Sequence, residues 1–224
     1  MPTQYIPYHS PALFDRAKKA AKNLQGVETA ILCVATAEAL LHDLTEWLSI
    51  AVNHKEECPQ NKKRDGIFQR GPFVVCATPL HQITENEINL CCVLREAESR
   101  KAAIGTKFIL AAELIRPGEW KKGCRPLQPF INLIRIRNDI IHTKGNTLSE
   151  VNGEIKGYPK SIDRLISKKV IPRPTDYTNW LNLIDSEKFC SFSIETVEDL
   201  VESFHGILPE TYMSQNFVAR TRLA

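Results

Sequence analysis

Apolar positions along this chain recur at helical rather than strand spacing. The clearest run, Gly26 to Asn53, reads "GVETAILCVATAEALLHDLTEWLSIAVN". It has no Gly or Pro after its first residue, and Val27, Ile31, Val34, Leu41, Thr45 and Leu48 repeat at helical intervals, which predicts one long helix. A shorter helix is predicted before it, from about Pro11 to Asn23, with proline near its start and lysines near its end, where they suit the helix dipole. Thr84 followed by acidic residues predicts a capped helix from Glu85 to Arg100. Another follows over Ile104 to Ile115, closed by Pro117 and Gly118. "PLQPFINLIRIRNDIIH" predicts a helix from Leu127 to His142, with Gly145 placed to take the left-handed conformation of a cap.

Beyond it lie a polar connection, a short helix in "KSIDRLISKK" and a Pro-broken loop to about Trp180. In the final helix Ser193 is the expected cap, Glu195, Glu198 and Asp199 favour the amino end, and Ile194, Val197, Leu200, Val201, Phe204 and Leu208 form one stripe. Between about 54 and 85 the pattern breaks. "KEECPQNKKRDG" is polar, and "GIFQRGPFVVCATPL" is short, apolar and punctuated by Gly and Pro, as in an insertion holding a small hairpin. No strand alternation is evident elsewhere, and no internal repeat. The expected class is therefore all-α: one helical domain over residues 1–224, a bundle of four to six helices with an irregular insertion after the first long one.

Composition leaves this picture unchanged. With 224 residues, 43% hydrophobic and 25% charged, the chain can bury a core of its own. A formal charge of +3 permits a nucleic-acid partner without indicating one, and the basic cluster Lys62, Lys63, Arg64 and Arg70 reads first as a solvated loop. The seven cysteines form no CxxC pair and are odd in number, which suits reduced thiols in a cytoplasm. His54 and Cys58 lie one turn apart, but no second ligand pair follows at usable spacing, so no metal is expected. The amino-terminal residues lack the pattern of a signal peptide, and the longest apolar run, "AILCVATAEALL", is too short to span a bilayer and carries Glu38. The expectation is a soluble cytoplasmic protein with no membrane partner.

The chemistry concentrates in "RIRNDIIHTKG", Arg135 to Gly145. At roughly 100° per residue, Arg137 falls between Phe130, Ile134 and Ile141 on one side and Leu133, Ile136 and Ile140 on the other, the middle of the apolar face. A guanidinium keeps its charge, so burial there requires an anionic or carbonyl partner. Glu38 occupies a similar place on the long helix, and the two are expected to face each other within or between subunits. His142, Asn138 and Arg135 share a more polar arc, with His142 roughly 140° from Arg137. Two readings stand on the pattern alone. The charged pair registers two helices while His142 sits at a helix end, or the residues form a site.

Arg137, Asn138 and His142, with four residues between arginine and histidine, resemble the signature of the HEPN superfamily (higher eukaryotes and prokaryotes nucleotide-binding). "CVATAEALLHDL" is similar to the early glutamate-bearing helix of such proteins, and the likeness covers about residues 26–53 and 86–208. The resemblance implies a helical bundle that forms a homodimer through its motif helices, and a metal-independent endoribonuclease that needs no cofactor and leaves a 2′,3′-cyclic phosphate. It implies His142 as acid–base and Arg137 as phosphate binder, since imidazole exchanges protons near neutrality and a guanidinium can hold a phosphate through two nitrogens. Asn138 and Glu38 would support the site, and Lys144 would lend positive potential to bound substrate. Asp139 occupies no motif position and reads as a solvated helix residue. Implied partners are single-stranded RNA and a separately encoded nucleotidyltransferase-type antitoxin. The alternative is a non-catalytic module that binds RNA, nucleotides or protein.

Overall fold

A computed structural model of the chain describes residues 7–57, 67–70, 73–76, 82–121, 123, 125–142 and 147–223. Helix α1 (His9–Lys22) leads through a turn into α2 (Gly26–Glu57), whose 32 residues make it the longest element described. Ala30, Cys33, Val34, Ala37, Leu40, Leu41, Leu44, Leu48 and Ala51 are buried along it at three- and four-residue intervals. The alanines lie on this buried face, where small side chains allow close approach. The hairpin expected in the insertion forms from β1 (Ile67–Arg70) and β2 (Phe73–Cys76), antiparallel with Ile67 opposite Cys76. Helices α3 (Glu85–Ser99), α4 (Ile104–Ile115) and α5 (Leu127–Ile141) follow, close to their predicted bounds. The fold is an all-α bundle.

The last third of the chain departs from expectation. A second hairpin, β3 (Ser149–Val151) and β4 (Glu154–Lys156), turns through Asn152 and Gly153, both at positive φ (54° and 75°). Asn-Gly is the pair that tolerates the left-handed backbone of a two-residue hairpin turn. Helix α6 (Lys160–Ser167) lies within the predicted segment. A five-residue helix α7 (Trp180–Ile184) was not expected. The long helix α8 (Glu187–Ile207) begins earlier than predicted, capped by Ser186, whose hydroxyl accepts from the Phe189 amide. Ser193 is buried inside α8 and donates to the Phe189 carbonyl, because Phe189 and Cys190 already continue the buried stripe. A further helix, α9 (Tyr212–Thr221), packs through Met213, Phe217 and Thr221. Among the described residues, six helices have 12 residues or more and three are shorter. None is long and apolar enough to cross a membrane.

Helix α2 is the central post, packed against α1, α3, α4, α5, α7, α8 and α9. Crowding around one helix buries helix starts, whose first amides lack intrahelical partners. At several starts carboxylates tie the first turn in place. Asp43 of α2 accepts from the His9 and Ser10 amides and the Ser10 hydroxyl at the start of α1. Asp185, just past α7, accepts from the Gly26 amide at 2.7 Å. Glu87 completes a capping box with Thr84 and also accepts from Thr211 and Ser214 at the start of α9. An aromatic cluster seats α5: Phe108 of α4 meets Phe204 of α8 and Phe130 of α5 edge-on, with centroids 5.2 and 5.8 Å apart, and stacks on Trp120.

Gly26 shows how close these approaches are, since a Cβ there would lie 1.9 Å from the Ile184 carbonyl oxygen. Gly26→Ala is expected to cost about 3 kcal/mol through overpacking, and an unchanged urea midpoint would contradict the close approach of α7 to α2. His205 provides a pH test. Burial, reinforced by nearby Arg222, holds its imidazole down at about 4, beside the Thr221 hydroxyl at 3.0 Å. Its depressed pKa favours the neutral ring in the fold, so its contribution is present above the unfolded value of about 6.5 and is lost as pH falls toward 4. Across that window the folded protein should lose up to about 3 kcal/mol, and His205→Gln should lack this component in denaturant titrations.

Candidate functional site

Helix α5 buries Leu127, Phe130, Leu133 and Ile136 and ends at His142, whose amide donates to the Asn138 carbonyl at 2.9 Å. Its polar residues leave the core in two directions. Arg137 Nη2 meets Glu38 Oε1 of α2 at 2.5 Å, within the one chain. The pair is not buried as the helical wheel suggested: 23% of the Arg137 side chain and 49% of that of Glu38 are exposed. The reason lies in α2, where the alanines and Cys33 define the buried face and leave Glu38 on an exposed edge.

On a different side of α5, Arg135, Asn138, Asp139 and His142 line a cleft of about 660 Å³. Its other wall is the amino-terminal half of α6 and the residue before it, with Pro159, Lys160, Ser161 and Arg164, and Trp180 at the start of α7. Arg137 is not among the lining residues. The structure thus brings Asn138 and His142 together with Arg135, and sets Arg137 with Glu38 elsewhere. Lys144, Gly145, Cys58 and the cluster Lys62, Lys63 and Arg64 lie outside the described residues, and His54 and Arg70 are described in backbone only.

Asp139 is not the solvated residue expected from its place on the wheel. Its carboxylate accepts the Ser161 hydroxyl, tying α5 to the buried start of α6. The tie sets Lys160 and Arg164, one turn apart on α6, across from Arg135. Among the described residues, none of these three cations has a carboxylate within ion-pair distance, whereas Arg137, Arg173, Lys107 and Lys156 each meet one. Arg135 only approaches the Asn132 amide oxygen, at 3.5 Å. Unpaired cations around a polar cleft create a positive potential that attracts anions, and guanidinium groups suit phosphate oxygens. Among the described residues no three His, Cys, Asp or Glu side chains converge as a metal site would require.

Lys160 and Arg164 had no assigned role in the sequence. The available signal was a basic pair at four-residue spacing opposite the apolar Ile162 and Leu165, but nothing local places that pair beside α5. Comparison with models of known families, with curated proteins and with solved structures finds no match.

Because Glu38 and Arg137 pair at a partly exposed edge, their contribution to stability is expected to be small. Glu38→Gln and Arg137→Met should each shift unfolding by less than about 1 kcal/mol. A loss of 3 kcal/mol or more in urea titration would show that the pair is structural in a way its exposure denies.

Proposed function

We propose that the protein is a metal-independent endoribonuclease that binds single-stranded RNA in the cleft between α5 and α6. The observation that carries this reading is the convergence of His142, Asn138 and Arg135 with Lys160 and Arg164, which meet no carboxylate among the described residues, around one cleft. In the proposed reaction His142 accepts the proton of a ribose 2′-hydroxyl as its oxygen bonds to the adjacent phosphorus. The bond from phosphorus to the 5′ oxygen then breaks, and that oxygen takes a proton from a water that is in turn reprotonated by the His142 imidazolium, which returns the ring to its neutral form. The products are a 2′,3′-cyclic phosphate and a 5′-hydroxyl. Arg135 holds the phosphate and offsets the charge that grows in the transition state, and Asn138, one turn from His142, orients the substrate.

This assigns the phosphate-holding role to Arg135 rather than to Arg137, which Glu38 occupies. The proposal retains the homodimer: the side of α5 carrying Ile134, Arg137 and Ile141, the last 53% exposed, is the surface offered to a second copy. A service in stress response or defence, with a separate antitoxin as restraint, accords with the resemblance of the motif. One observation favours the second reading, an RNA-binding module without catalysis: the arginine of the motif is held away from the histidine.

Purified protein incubated with mixed-sequence single-stranded RNA in EDTA tests the proposal. Cleavage to cyclic-phosphate ends is expected, with a loss on the order of 100-fold in His142→Ala, a clear loss in Arg135→Ala, and retention in Arg137→Ala. Equal cleavage by all variants would sink the assignment. Loss in Arg137→Ala with retention in Arg135→Ala would move the site to the other side of α5.

A further inference from the structure

We infer that Lys160 and Arg164 form a second phosphate subsite, so that the cleft takes a strand with at least two consecutive phosphodiesters rather than a single phosphate. The inference rests on the RNA-binding reading of the cleft and adds to it the length of ligand recognised. Three observations carry it. Among the described residues the cleft holds three side-chain cations, Arg135, Lys160 and Arg164, and one carboxylate, Asp139, a balance of three less one, or +2, before His142 is counted. A single phosphodiester supplies one negative charge and leaves half of that balance unmet. The Asp139 carboxylate is already engaged by the Ser161 hydroxyl, and no other carboxylate lines the cleft among the described residues.

The placement of the cations is the second observation. Arg135 belongs to α5, while Lys160 and Arg164 project from α6, the opposite wall. Residues four apart on a helix stand about 5–6 Å apart at Cβ, close enough for one phosphate to meet both. The third observation is size. About 660 Å³ lies within the range of pockets that enclose whole organic ligands and is far more than one phosphate group fills. Arg135 beside His142 serves the phosphate that reacts, and the α6 pair serves its neighbour on the same strand. Lys160 and Arg164 are exposed, and the buried face of α6 is made by Ser161, Ile162 and Leu165. The basic pair is therefore free to contact ligand without supporting the core.

Binding measured without cleavage separates this inference from the catalytic one. Fluorescently labelled 2′-O-methyl RNA, which lacks the attacking hydroxyl, is titrated by anisotropy as an octamer and as a dinucleotide with one internal phosphate. The Lys160→Gln, Arg164→Gln double variant should bind the octamer about 10-fold more weakly, with its salt slope reduced by about 0.7, the value of one phosphate contact on a single strand. The dinucleotide should bind parent and variant alike. Equal losses for both ligands, or no loss for either, would overturn the subsite, provided circular dichroism shows the variant folded as the parent. Pyrophosphate displacing the octamer from the parent as effectively as unlabelled octamer would overturn recognition of a strand in favour of a small-anion site. A parent that shows this length dependence yet never cuts unmodified RNA keeps the subsite and loses the catalytic reading. A parent that cuts RNA while the double variant binds and cuts identically loses the subsite alone.

Discussion

Helix starts tied by carboxylates to distant parts of the chain are the constraint on which the rest of this fold depends. Helix α2 can be surrounded only if helices begin or turn close against it, and a beginning that is buried leaves amides that need a partner within the protein. Asp43 satisfies the start of α1, Asp185 that of α2, and Glu87 ties the starts of α3 and α9. A hydrogen bond to a charged group contributes about 1.5–3 kcal/mol, and a buried carboxylate left unpaired would cost at least as much. The negative charges also sit at the favourable end of each helix dipole. These ties are long in sequence, 159 residues between Gly26 and Asp185. They fix the frame that sets α5 against α4 and α8.

That frame determines what α5 can present. Its first turns are held by the Phe108 cluster, and its last two turns emerge with one apolar side inward and two polar sides outward. Arg137 turns to Glu38 on α2, while Arg135, Asn138, Asp139 and His142 turn to α6. A motif that reads as one cluster in the sequence is therefore divided between an ion pair and a cleft. The second hairpin returns the chain after α5, and the bond from Ser161 to Asp139 fixes the start of α6 beside it. Positive charge then gathers from two segments that are separate in sequence.

Much of this was legible beforehand. The Gly- and Pro-free run over α2, the Thr84 cap and the apolar repeat of α5 each reflect local rules, and those helices lie near their predicted places. The meeting of Glu38 with Arg137 also followed from the wheels, but its exposure did not. A wheel weighted toward large apolar residues overlooks Ala30, Ala37 and Ala51, which determine where α2 is buried. Helix α9 was not among the expected elements, although Met213, Phe217 and Thr221 share one side at four-residue spacing. Asn152-Gly153 carried a hairpin signal that the surrounding polar residues masked. Ser193 resembled a cap only because the apolar stripe was followed from Ile194 and not from Phe189. The cleft was beyond local reading: Lys160 and Arg164 acquire meaning through the turn of the chain after α5.

The central claim is that ligand enters on the His142 side of α5 while the Arg137–Glu38 pair stays closed. Nuclear magnetic resonance of the full chain, with side-chain signals followed during titration with uncleavable single-stranded RNA, tests it most directly. The account predicts saturable shifts at the His142 ring, the Asn138 amide, the Arg135 guanidinium and the Trp180 indole, with the Arg137 guanidinium unmoved. Shifts centred on Arg137 and Glu38, with the cleft residues unchanged, would contradict it.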